Sequence, residues 1–202
     1  MRHHVQLTPE GLLASEGILV RIGEDDFMYT GGGGDWTNFM FGQGSWNATA
    51  EMVDPDYFIF EVQGPNSLFV IEKVTGENLR DLEFNWSRPA TIGDAQVRVL
   101  RTGISGELGY ELHGRAEHAN DVWSAVVGAG GEYGIRPLGV RSQLVQHVEF
   151  GFATNGLDYV PASVVTPGGP RLIPESTPRG SYIPYTGVAE FFRSPLELGW
   201  GW

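Results

Sequence analysis

The residues best placed for chemistry lie in and after the segment Arg-Thr-Gly-Ile-Ser-Gly-Glu-Leu-Gly-Tyr-Glu-Leu, residues 101–112. Three glycines spaced three apart lead into a strand. Strand alternation sends Leu108, Tyr110 and Leu112 to one face and Glu111 and His113 to the other. That polar face has two readings. It is the solvated outside of an antiparallel sheet, or it aims the Glu111 carboxylate into a cleft, where it can accept two parallel N–H bonds from a flat heterocycle. Arg141 is the second candidate. It follows Leu138 by three residues and precedes Val145 by four, which puts it on the apolar stripe of a helix starting at Pro137. Its stem can snorkel, but a guanidinium at a core edge calls for a partner, either Glu111 or an anionic ligand.

Other chemistries find no pattern. The five histidines show no zinc-ligand spacing, so a sequence-local metal site is not expected. Ser105 has no adjacent base and reads as a turn serine. Gly31–Gly34 lacks the Gly-Lys-Ser/Thr of a phosphate loop and reads as a connector. The chain has no cysteine, which excludes disulfides and thiolate nucleophiles. Its net charge is −12, Lys73 is the sole lysine and the arginines are scattered, against a nucleic-acid partner. No window is apolar enough for a membrane span, and the N-terminal residues form no leader, so the expected location is the cytoplasm.

The elements that must position these groups can be read locally. At 202 residues the chain is long enough for one sizeable domain or two small ones. Ile18–Ile22 and Phe27–Thr30 read as a hairpin around a polar turn, and Asp56–Gln63 as a strand stopped by Gly64-Pro65. Leu68, Ile71 and Val74 mark a helix ending at Gly76. Two strands, 95–103 and 108–114, are separated by the glycine turn. Ala119, Val122, Trp123 and Val126 stripe a further helix expected to end at Gly128. Residues 152–190 are rich in proline and glycine and read as a long loop.

The order of the motifs 17–32, 60–76, 99–114, 134–152 and 193–202 resembles the glycine cleavage T-protein family of folate-dependent aminomethyltransferases and demethylases. The resemblance covers most of residues 11–202. Its most specific parts are Gln63-Gly64-Pro65 and the Arg-Thr-Gly…Gly-Glu…Gly-Tyr-Glu run. It implies an α+β fold, with antiparallel sheets and flanking helices, of the folate-binding T-protein type and lacking the C-terminal β-barrel domain. On this view residues 1–198 are a partial folate-binding domain without its N-terminal part, and 199–202 a stub. The resemblance implies tetrahydrofolate as cofactor, a small methyl or aminomethyl donor as partner, and a pterin-binding role for Glu111, with Tyr110 in the same motif and Arg141 after the Pro-Leu-Gly segment. The family's Asp-Asp pair is replaced here by Ser15-Glu16-Gly17, making Glu16 the candidate catalytic carboxylate. The tyrosine of the demethylase branch is replaced by Gln143. A non-catalytic folate-binding module or a structural subunit is the alternative. A fragment would be inactive, and would self-associate through Phe191, Phe192, Leu196, Leu198, Trp200 and Trp202.

Overall fold

The computed structural model describes residues 1–31, 34–153, 155, 157–165 and 192–200. It divides the chain into two compact units, one formed by 1–52 and 153–202 and the other by 53–152. The expected α+β class, with antiparallel sheets and helices, is what the structure shows.

In the first unit, β1 (Arg2–Leu7), β2 (Leu13–Arg21) and β3 (Phe27–Thr30) form an antiparallel sheet in that order. The expected hairpin is β2–β3. Its turn closes through the Ile22 and Gly23 N–H groups, both donating to the Asp26 carbonyl at 2.9 and 3.1 Å. Strand β1, in the polar segment Arg-His-His-Val-Gln-Leu, carries no strong local signal and forms because β2 offers it an edge. Helix α1 (Gly34–Phe41) buries Trp36, and Leu13, Ala14 and Val20 of β2 are buried.

In the second unit, β4 (Tyr57–Gln63), β5 (Ser87–Ile92), β6 (Ala95–Leu100) and β7 (Gly109–Arg115) form an antiparallel sheet ordered β4-β7-β6-β5. Pro89 lies in β5, an edge strand, where a missing N–H is tolerated. One face carries the core: Phe58, Val62, Val97, Val99, Tyr110 and Leu112 pack with Val70 and Ile71 of α2 (Ser67–Thr75) and Val122 and Val126 of α3 (Ala119–Gly130). Gly76 ends α2 as expected, at φ 71°, its N–H donating to the Glu72 carbonyl.

Three expectations shift. Helix α3 runs on past Gly128 to Gly130, and Trp123 stays 45% exposed, with its ring edge-on to Phe60 at 5.4 Å. Helix α4 (Val140–Phe150) begins after an extended Gly139 and not at Pro137. It buries none of its residues, so Arg141 is exposed, not held at a core edge. Most of the long loop expected over 152–190 lies outside the described residues.

Candidate functional site

The motif glycines bring the backbone of the 101–109 loop close to itself. A Cβ on Gly109 would stand 2.6 Å from the Thr102 carbonyl oxygen, and one on Gly106, at φ 77°, would meet the Phe150 ring at 2.5 Å. Only glycine fits either place. The Gln63-Gly64-Pro65 turn anchors the loop's far end. The Leu108 carbonyl accepts from the Gly64 N–H at 2.8 Å and from Ser67 Oγ at 3.0 Å.

Beyond the loop, β7 presents Glu111 on the sheet face opposite the core. Its Oε2 lies 2.7 Å from Nε2 of His113, whose side chain is only 3% exposed. Nδ1 of His113 is buried without a hydrogen-bond partner among the described residues. Register sets Glu61 of β4 directly across from Glu111. Glu61 Oε1 accepts the Ile104 N–H at 3.3 Å, which ties the glycine loop to the sheet. Burial, reinforced by the charge of Glu111 and opposed by the Ile104 N–H, pushes the Glu61 carboxyl up to about 7. Beside it, Gln63 Nε2 donates to Gln146 Oε1 of α4 at 2.7 Å, and Gln63 Oε1 is buried without a partner among the described residues.

Tyr110 does not share this face. It is 1% exposed and packs in the core with Leu112, so its side chain is turned away from Glu111 by the strand's alternation. Arg141 is absent from the ion pairs of the described residues, and Glu111 has His113 as its partner instead.

Glu16 belongs to the first unit. On β2 it faces Val5 of β1. Its Oε1 accepts a short hydrogen bond from the Tyr159 hydroxyl, and its Oε2 lies 2.5 Å from His3 Nε2. Trp200 sets its ring edge-on to both His3, at 4.9 Å, and Tyr159, at 5.9 Å. It therefore docks within its own unit and is not a bare terminal apolar group. Phe191 and Trp202 lie outside the described residues. Burial and the charge of Glu16 hold the Tyr159 hydroxyl far above the ordinary phenol range, so it stays a donor.

Sequence reasoning passed over Glu61, His3 and Tyr159. Glu61 was open to discovery, as a carboxylate two residues before Gln63 in an otherwise apolar strand. No local signal marks Tyr159, which lies 143 residues from Glu16 along the chain.

The family model for the GCVT N-terminal domain matches residues 1–166. The chain belongs to this family. Among the curated relatives of this GCVT-family chain, it is 32% identical to the sesamin methylene transferase of Sinomonas sp. (strain No.22), over 79% of this chain and 35% of that protein. It is 34% identical to the trimethylamine-oxide aldolase of Ruegeria pomeroyi, over 75% of this chain and 20% of that one. It is 29% identical to the syringate O-demethylase of Sphingobium sp., over 73% and 34%. The chain thus spans about a third or less of the length of these relatives. No helix among the described residues is long and apolar enough to cross a membrane.

Proposed function

We propose that this GCVT-family chain binds tetrahydrofolate and serves the transfer of a methyl or aminomethyl unit, in the demethylase-like branch of the family. The observation that carries this reading is Glu111, a carboxylate anchored by a buried histidine at 2.7 Å on the sheet face opposite the core, beside the glycine loop. The donor set suits a reduced pterin. Its aminopyrimidinone edge offers N–H groups side by side, which one carboxylate accepts as a pair. The close-packed glycines let that edge approach the backbone.

Tetrahydrofolate supplies a ring nitrogen that receives the one-carbon unit. The chain supplies the positioning. Glu111 orients the pterin, and His113 holds Glu111 in place. Glu16, standing where the family carries its acidic pair, is the proton-handling group. Arg141, exposed in the first turn of α4, is available to an anionic part of the ligand. Tyr110 contributes from the core side by fixing the strand that presents Glu111. The donor is a small molecule, consistent with the names of the relatives.

One observation favours a second reading, a folate-binding module without turnover. Both oxygens of Glu16 are already engaged by Tyr159 and His3. Isothermal titration with tetrahydrofolate tests the shared part, with saturable binding expected and its absence overturning both. Methyl transfer to the bound folate then selects the first reading, and binding without transfer selects the second.

A further inference from the structure

We propose that Glu61 is a second ligand-binding carboxyl group of the pterin site, one that donates a hydrogen bond where Glu111 accepts. The inference rests on the folate reading above and adds a residue to it.

Geometry comes first. Register places Glu61 and Glu111 opposite one another on adjacent strands, on the face away from the core. They make no hydrogen bond to each other: Glu111 Oε2 is taken by His113 and Glu61 Oε1 by the Ile104 N–H. Since Oε1 of Glu61 accepts, the carboxyl proton belongs on Oε2, which has no partner among the described residues. An acid O–H beside a carboxylate matches a heterocycle edge on which a carbonyl oxygen neighbours the N–H pair. Two ionised carboxylates would repel each other and leave that oxygen facing negative charge.

The surroundings favour the neutral acid. Among the described residues, register places Glu111 and His113 of β7 and Arg98 of β6 on this face, with α4 reaching it through Gln146. Arg98 lies across from His113 and donates to Ser87 Oγ at 3.1 Å. Arg101 turns away to the Leu82 carbonyl at 2.8 Å, and His147 sets its ring edge-on to Phe152. None of these ion-pairs with Glu61 among the described residues. Burial and the Glu111 charge together keep its proton on to about pH 7.

The test is tetrahydrofolate titration of the full chain from pH 6 to 9, run in buffers of different ionisation enthalpy to count protons. The wild type should lose affinity about tenfold per pH unit above 7, and take up more than about half a proton on binding at pH 7.5. Glu61→Gln keeps an N–H donor but cannot titrate, so it should lose both the pH slope and the proton uptake. Glu111→Gln should weaken binding at every pH. If Glu111→Gln weakens binding but the wild type shows neither slope nor uptake, or Glu61→Gln retains them, the role of Glu61 is overturned and the folate site stands. If tetrahydrofolate does not bind, or Glu111→Gln binds like the wild type, the pterin reading falls and this inference with it. The wild-type proton count needs no variant, so the test survives misfolding of either one.

Discussion

Glu16 and Glu111 are carboxylates on antiparallel strands, one in each compact unit, yet their settings are opposite in kind. Glu16 has a donor for each oxygen from its own unit, the Tyr159 hydroxyl and the His3 ring. Glu111 has one histidine donor and, straight across the sheet, another acid. The first is an internally satisfied group, and the second is incomplete until something with N–H donors arrives. Sequence position alone would rank the two alike. Their neighbours differ: Glu16 is held between a phenol and an imidazole, Glu111 between an imidazole and a second acid.

The largest expected effect tests whether the acid pair is under tension. The folded state raises Glu61 from 4.5 to about 7, so between these values it holds a proton that the unfolded chain releases. Its contribution is therefore full below about pH 4.5 and is lost as pH rises through 7, a span of at most about 3 kcal/mol. Urea denaturation of the wild type should show stability falling over that window, and Glu61→Gln should flatten the fall. An unchanged pH profile in the variant would mean that burial and the Glu111 charge do not hold a proton on Glu61.

Next in size, Glu111→Gln should weaken tetrahydrofolate binding by about 1.5–3 kcal/mol, the range for a hydrogen bond to a charged group. Equal affinities in calorimetry would move the site elsewhere. Tyr159→Phe should then cost about 1.5 kcal/mol of stability, because it strips a half-buried carboxylate of one donor. Chemical denaturation that cannot tell it from wild type would mean Glu16 finds another donor, and would erase the contrast drawn above. The smallest effect belongs to Arg141→Met. An exposed residue with no ion pair among the described residues should change stability by less than about 0.5 kcal/mol while lowering affinity for an anionic ligand. A clear loss of stability would assign it a structural partner instead.

What was legible in the sequence was local. The β2–β3 turn, the stop at Gly64-Pro65, the glycine end of α2 and the alternation of β7 are each written in a few adjacent residues. The order of those motifs was enough to reveal the family. Strands β1 and β5 were not legible: Arg-His-His-Val-Gln-Leu and Ser-Arg-Pro-Ala-Thr-Ile have weak intrinsic preference and become strands only against a neighbour. The site divides the same way. Glu111 could be found because its motif surrounds it, whereas its pairing with Glu61 depends on a register between residues fifty apart. The stripe on α4 shows the opposite error. Leu144, Val145 and Val148 have core-like spacing, but each is exposed.

Gly17 carries a consequence for anyone who would redesign the chain. A Cβ there would fall 2.2 Å from the Thr30 carbonyl oxygen, inside the backbone of the neighbouring strand. Position 17 is therefore closed to drift, while position 16 beside it points into a pocket of side chains that can exchange. A library randomising both codons would return a single letter at the second and variety at the first, with changes at 16 accompanied by changes at 3 and 159.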